Sequence, residues 1–287
     1  MAYSFNGTFP NVQSFIIPSS MVKCESSTFY MSNINTLTIL SDNFTFKYIN
    51  ITGLPIKQFN ISNTCETLNI LSSSIYFSPD ILEFPATMTD FFSNSMVINA
   101  QSSLRKIIFN GSTYINADPT LQSSYGSYFS YIGNPNTVKE IINVYLPFFY
   151  NNRSMFMNIE KITIADNMDN STILYTSIFN NYKKLKFVKL PNTLKIIEAG
   201  AFYDNVQLSE LDIPDTIEYI SNYAFGYCSS LRTMIIRATT PPESESANIK
   251  HVTELCTIYV PEESVTAYKE SPYWIANAAQ IQAIPEE

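Results

Sequence analysis

Three stretches near the C-terminus repeat one another at a fixed step. Leu185-Lys186-Phe187-Val188-Lys189-Leu190-Pro191, Leu208-Ser209-Glu210-Leu211-Asp212-Ile213-Pro214 and Leu231-Arg232-Thr233-Met234-Ile235-Ile236 begin 23 residues apart. Phe179, Phe202 and Phe225 recur at the same step, the last two preceded by Ala201 and Ala224. A period of this length marks a solenoid. One unit cannot bury its apolar face alone, so it stacks on its neighbours and the fold grows in one dimension. The repeat therefore overrides the two-domain expectation that 287 residues would otherwise carry.

Each unit reads apolar-x-x-apolar-x-apolar, often followed by proline. The last four positions alternate with period two, so they predict a short strand with every second residue inward. Proline directly after the strand stops its ladder. The central inward residue is Phe15, Leu37, Phe59, Leu82, Ile107, Ile141, Ile162, Val188, Leu211, Met234 and Ile258. The expected fold is an α/β solenoid of about eleven repeats, mostly of 22–26 residues, with one short parallel strand each. The Ala-Phe segments predict short helical or irregular stretches on the convex side, with the phenylalanines stacked inward. The solenoid spans residues 1–260, and its N-terminal part is irregular. The step from Ile107 to Ile141 is 34 residues; the excess is an insertion at about 111–137 containing Tyr125, Tyr128 and Tyr131. Residues 261–287 break the pattern and predict a C-terminal cap. Its Glu262 to Glu270 reads as an amphipathic helix with Val265 and Tyr268 inward, followed by Trp274, Ile281 and Ile284.

Composition removes several function classes. Net charge is −8 with no basic strip, so nucleic-acid binding is excluded as a reading. Only 7 glycines occur, and neither phosphate-loop nor dinucleotide-binding strings are present. His251 is the sole histidine and lies in a loop-like stretch after Pro241-Pro242, which argues against a hydrolase triad. Cys24, Cys65, Cys228 and Cys256 lack CxxC spacing, so neither a zinc site nor a disulfide scaffold is expected. Cys228 falls at an inward repeat position and reads as a buried thiol. No cofactor and no metal are implied. No run reaches the roughly 20 apolar residues of a membrane helix. The N-terminus shows no leader pattern. The chain is thus expected outside the cell or on its surface if a signal peptide was removed, and otherwise soluble and unexported.

The unit from Leu208 to Leu231 places Leu208, Leu211, Ile213, Pro214, Ile217, Ile220, Ala224, Phe225, Cys228 and Leu231 on one pattern. That pattern resembles the BspA-like leucine-rich repeats of bacterial surface proteins and some protists. Thr257 to Lys269 is similar to the ending of bacterial members. The resemblance implies a right-handed leucine-rich-repeat coil, a role in adhesion or protein recognition, and no catalytic residues.

Eleven strands at about 4.8 Å spacing give a face roughly 50 Å long, a surface for a macromolecule. Its outward residues include Ile108, Ile142, Thr163, Lys189, Asp212, Ile235 and Tyr259. With Tyr125, Tyr128 and Tyr131 they form the candidate partner-binding set. Ile108 and Ile142 are expected to form an apolar patch beside the insertion. Lys189 and Asp212 are expected to form a cross-strand ion pair. The leading reading is a non-enzymatic module that binds a protein or glycan on a host or neighbouring cell through the concave face. The alternative is a structural component of a surface layer or of a viral or phage particle, with self-association. A third reading is a carbohydrate-active enzyme using Tyr125 or Tyr128. Light scattering separates the first two, and loss of the candidate carboxylates tests the third.

Overall fold

The computed structural model describes residues 2–3, 6–8, 11–25, 28–31, 35–47, 50–56, 58–71, 74–77, 81–85, 90–93, 96–98, 105–109, 138–144, 156–166, 172–245 and 252–286. Two compact units divide the chain, Met1–Val138 and Lys139–Glu287.

In the first unit each turn of the coil carries three strands. The first turn has β1 (Ala2–Tyr3), β2 (Asn6–Thr8) and β3 (Ser14–Ile17). The second has β4 (Lys23–Glu25), β5 (Thr28–Met31) and β6 (Thr36–Ile39), and the third β7 (Asn43–Lys47), β8 (Asn50–Ile56) and β9 (Gln58–Ile61). The fourth has β10 (Thr67–Leu71), β11 (Ser74–Phe77) and β12 (Ile81–Phe84), and the fifth β13 (Asp90–Ser93), β14 (Met96–Ile98) and β15 (Lys106–Phe109). Equivalent strands of successive turns pair in parallel, giving the ladders β1-β4-β7-β10-β13 and β2-β5-β8-β11-β14. On the third side, β3-β6-β9 places Phe15 opposite Leu37 and Leu37 opposite Phe59, and β12-β15 places Leu82 opposite Ile107. Leu37, Phe59, Leu82 and Ile107 are buried, as period two requires.

The convex side here is extended, in place of the short helical or irregular segments expected there. Thr28-Phe29-Tyr30-Met31, Asn43-Phe44-Thr45-Phe46-Lys47 and Ser74-Ile75-Tyr76-Phe77 are rich in aromatic and β-branched residues that favour strands.

In the second unit the strand face is built from β16 (Glu140–Val144), β17 (Lys161–Ile164), β19 (Phe187–Lys189), β21 (Glu210–Ile213), β23 (Thr233–Ile236) and β24 (Thr257–Val260). Between them run the short strands β18 (Ile173–Leu174), β20 (Ile196–Ile197) and β22 (Tyr219–Ile220), which form a ladder of their own. Ile141, Ile162 and Val188 lie in register, as do Leu211, Met234 and Ile258. In β16, Asn143 sits in the left-handed region at φ 55° where the β16–β17 register slips. Asparagine takes that conformation at low cost, and the slip is a bulge.

The Ala-Phe segments are turns, not helices. Their N–H groups donate along the solenoid instead of within a helix: Phe179 to Ala201 O (2.9 Å), Phe202 to Ala224 O (2.7 Å), Asp204 to Gly226 O (2.7 Å). Left-handed residues recur twice per coil, at Ser177, Gly200 and Tyr223, and at Asn181, Asp204 and Tyr227. A left-handed residue every few positions stops helix propagation. The phenylalanines do stack inward, with Phe179–Phe202 and Phe202–Phe225 ring centroids 5.5 and 5.9 Å apart. Asn205, fully buried, ties adjacent coils by donating from Nδ2 to Phe179 O (3.0 Å) and Phe202 O (2.9 Å).

After β24, a 3-10 turn at Glu262–Ser264 leads into α1 (Val265–Glu270). Tyr268 and Trp274 are fully buried. Tyr268 Oη donates to Ala238 O (2.8 Å) and Trp274 Nε1 to Pro242 O (2.9 Å), so their polar ends are satisfied inside. A further strand, β25 (Ile281–Ala283), pairs parallel to β24 with Ile281 opposite Ile258. The sequence pattern did not announce it, because Ile281-Gln282-Ala283 lacks the preceding leucine of the repeat.

Candidate interaction face

Alternation along each strand turns one side chain in two away from the core. In the second unit this places Ile142, Thr163 and Lys189 outward along β16, β17 and β19. Asp212, Ile235 and Tyr259 are outward and opposite one another along β21, β23 and β24. Ile142, Thr163, Ile235 and Tyr259 are half-buried; Lys189 and Asp212 are exposed. Ile108 belongs to the first unit, half-buried on β15 beside Glu83 of β12. Tyr125, Tyr128, Tyr131 and the insertion at 111–137 lie outside the described residues, as does His251.

Within the second unit the strand face divides into two groups. Among the described residues no ladder joins β19 to β21: β16, β17 and β19 belong to one sheet and β21, β23, β24 and β25 to another. A broken ladder leaves main-chain donors and acceptors without strand partners. A groove of about 220 Å³ lies at this seam, lined by Phe187, Lys189, Glu210, Asp212 and Arg237 among others. Phe187 is 48% exposed, an unusual state for a phenylalanine on a strand. The ammonium of Lys161 sits 5.5 Å from its ring centroid.

The charges around the groove are held in pairs, but not in the expected pair. Lys189 Nζ bonds Asp166 Oδ2 at 2.9 Å, and Asp212 receives a two-point contact from Arg237, Nε and Nη2 each at 2.7 Å. The expected Lys189–Asp212 pair is therefore corrected. The strands carrying the two residues are not laddered, and each finds a closer partner in the loop after a neighbouring strand. Burial pushes the Asp166 carboxyl up, but hydrogen bonds from Lys189 and from the Asn192 N–H (2.8 Å) outweigh it, and its pKa lies below the ordinary value. Asp166 and Arg237 were not singled out in the sequence. Both follow the end of a strand, where the repeat pattern places no constraint.

Elsewhere on the face, polar rows link strands side by side. Asn60 Nδ2 donates to Thr38 Oγ1 (3.2 Å), Thr36 Oγ1 to Gln58 Oε1 (3.0 Å), and Lys161 pairs with Glu140 (3.1 Å). Along the loops before the strands, Glu160 sits between Lys186 (2.8 Å) and Lys139 (3.6 Å). All four cysteines are buried and in thiol form, and burial pushes the thiols of Cys228 and Cys256 up to about 12. Thiols held protonated in this way are poor nucleophiles and poor metal ligands. Among the described residues no three His, Cys, Asp or Glu side chains are placed to hold a metal ion, and no helix is long and apolar enough to cross a membrane.

The sequence matches the family described as BspA type leucine-rich repeat region, in six copies, over residues 1–81 and 148–273. The chain belongs to the BspA-type leucine-rich repeats. Six copies match where the sequence reading counts about eleven units. The strand recurs in each unit, whereas the Ala-Phe turn is confined to the C-terminal part. Among solved structures, a leucine-rich repeat protein from Bacteroides ovatus is 14% identical with a TM-score of 0.39; the match covers 95% of this chain and 66% of that one. The pneumococcal vaccine antigen PcpA is 15% identical with a TM-score of 0.32, covering 100% of this chain and 83% of that one. A leucine-rich repeat protein from Eubacterium ventriosum is 16% identical with a TM-score of 0.36, covering 77% of each chain. No curated protein sequence matches.

Proposed function

We propose that this BspA-type repeat is a non-enzymatic recognition module that grips a protein partner across its strand face, displayed at or outside the cell surface. The observation that carries the reading is the seam between β19 and β21. There an exposed phenylalanine, Phe187, flanks a groove whose rim is charged. An apolar anchor inside a polar rim is the arrangement that protein interfaces use. Glu210, on the rim, adds an exposed carboxylate, and the chain as a whole carries −8. A partner segment with an apolar side chain beside basic residues fits this surface by charge. Ile235 and Tyr259 extend the contact along β23 and β24, and Ile142 and Thr163 offer further outward side chains on β16 and β17. Family membership supports the recognition role and the surface location.

The test is capture of surface proteins from host or neighbouring cells, with identification of the bound species and titration of the purified pair. The variants are Phe187→Glu with Glu210→Lys, and separately Ile235→Glu with Tyr259→Glu. All four side chains point outward, so circular dichroism should be unchanged. Loss of at least tenfold in affinity with the Phe187/Glu210 variant supports the groove. Equal affinity in both variants overturns it. Concentration-dependent self-assembly with no captured partner turns the reading toward a structural component.

A further inference from the structure

The turn side of the second unit carries tyrosines at left-handed positions that smaller residues hold in the preceding coils. In the three successive coils, the first left-handed position is Ser177, Gly200 and Tyr223, with φ 58°, 64° and 59°. The second is Asn181, Asp204 and Tyr227, with φ 65°, 62° and 59°. Glycine, asparagine and aspartate adopt this conformation readily, and a bulky side chain does not. The third coil nevertheless places tyrosine at both positions. Both side chains stay largely open to solvent: Tyr223 is 41% and Tyr227 56% exposed. Strained backbone held at exposed aromatic residues is a mark of a functional constraint.

The cluster is preorganised. Tyr203 of the preceding coil packs against it, with its ring centroid 5.0 Å from that of Tyr227 at an interplanar angle of 63°. Gly226 makes this possible: a Cβ there would stand 2.9 Å from Tyr203 Cδ2, so any side chain would displace the ring. Beside the rings, Asp204 pairs with Lys183 at 3.1 Å, which leaves the site without net charge. The exposed large apolar side chains of this patch are Tyr223 and Tyr227; the other such residues among the described part of the second unit, Phe187, Leu255 and Ile275, lie elsewhere in the fold.

We infer that Tyr203, Tyr223 and Tyr227 form a binding platform for an uncharged saccharide. Fixed aromatic faces accept the C–H face of a hexose ring, while phenol hydroxyls and the Asp204 carboxylate meet its hydroxyl groups. The neutral charge disfavours an anionic ligand. Among the described residues of these turns the exposed large apolar side chains are aromatic, which disfavours an amphipathic helix, since that needs a hydrophobic groove. The platform is independent of the strand-face reading, because its residues lie in the turns and not on the face strands.

The experiment titrates the full chain with three uncharged hexaoses, a β-1,4-glucan, a β-1,4-N-acetylglucosamine oligomer and an α-1,4-glucan. Calorimetry and ligand-observed NMR are compared for wild type and the double variant Tyr223→Asn, Tyr227→Asn. Asparagine accepts the left-handed backbone, so the variant should melt at the wild-type temperature or above it. Binding of at least one hexaose by wild type, lost tenfold or more in a variant of undiminished melting temperature, supports the platform. No binding to any of the three at millimolar concentration overturns it, as does binding retained by the variant. A variant that melts well below wild type also overturns it, because the tyrosines would then be packing residues. Loss of a bound protein in place of a saccharide reassigns the surface to protein docking.

Discussion

Asn205 offers a sharp test of how adjacent coils are held together. It is fully buried, and Nδ2 donates to two main-chain oxygens, Phe179 O at 3.0 Å and Phe202 O at 2.9 Å. Among the described residues its Oδ1, also buried, has no hydrogen-bond partner. Asn205→Asp keeps the shape and replaces the donor by a second oxygen facing those carbonyls. Ionised, that oxygen is desolvated and repelled; protonated, it donates to one carbonyl and forfeits the other. Losing one bond costs about 1 kcal/mol. Burying an unpaired carboxylate costs about 3–5 kcal/mol. The aspartate's folded pKa is therefore raised above its unfolded value of about 3.9. With a raised folded pKa, the variant's stability is fully present below the unfolded pKa and is lost as pH rises through the folded one. At about 2–4 °C per kcal/mol for a unit of this size, the melting temperature at pH 7 should fall on the order of 10 °C below wild type. Near pH 3.5 the gap should shrink to a few degrees. Melting of both proteins by circular dichroism from pH 3.5 to 8 decides it, with Asn205→Ala as a control whose deficit should not depend on pH. A deficit for Asn205→Asp that is the same at pH 4 and pH 7 refutes the reasoning.

Phe202→Ala removes the middle ring of the stacked Phe179–Phe202–Phe225 column and should cost about 3–5 kcal/mol, read as a shifted urea midpoint. Glu160 is held below the ordinary carboxylate range by the hydrogen bond from Lys186, against a smaller opposing push from burial. Its contribution is present above the usual carboxylate pKa and is lost as pH falls through the depressed one. Because both partners are well exposed, Glu160→Gln should cost under about 1 kcal/mol, and 1 M salt should erase the difference between the two melting curves. The sole tryptophan, Trp274, is fully buried, so its emission should be blue-shifted and should report the C-terminal segment. If Trp274 emission shifts red well before the far-ultraviolet signal is lost, that segment opens first; coincident transitions mean it melts with the repeats. Cys228 and Cys256 should resist alkylation at pH 8 until the chain unfolds, and rapid labelling of the native protein would contradict their burial.

The strand register was legible because a strand buried on one face has period two, and one misplaced step would turn its core residues to solvent. Ile107, Ile141 and Ile162, where the spacing is least regular, still fall on buried inward positions. The convex side was less legible. Ala-Phe followed by tyrosine and asparagine fits a helical turn locally. The left-handed residues at each end of the segment, and the hydrogen bonds that run to the next coil, belong to the stacked state and not to the segment. In the first unit the same side is strand, because the stretches there are rich in aromatic and β-branched residues and each meets an equivalent stretch one turn on. The interaction face was legible in part. Period two identifies which residues point outward, so Lys189, Asp212, Ile235 and Tyr259 could be named. It does not say where the ladder breaks. The seam between β19 and β21 arises from how one coil sits on the next, and the partners Asp166 and Arg237 come from loops that the pattern leaves free. The tyrosines at 223 and 227 carry the same lesson. They read as ordinary aromatic residues until the fold shows that serine, glycine, asparagine and aspartate, all small, hold the equivalent places in the coils before them. A repeat supplies its own control in this way. Each coil shows what the backbone accepts cheaply, and a departure from that residue type in one coil marks the place where something other than folding has set the side chain.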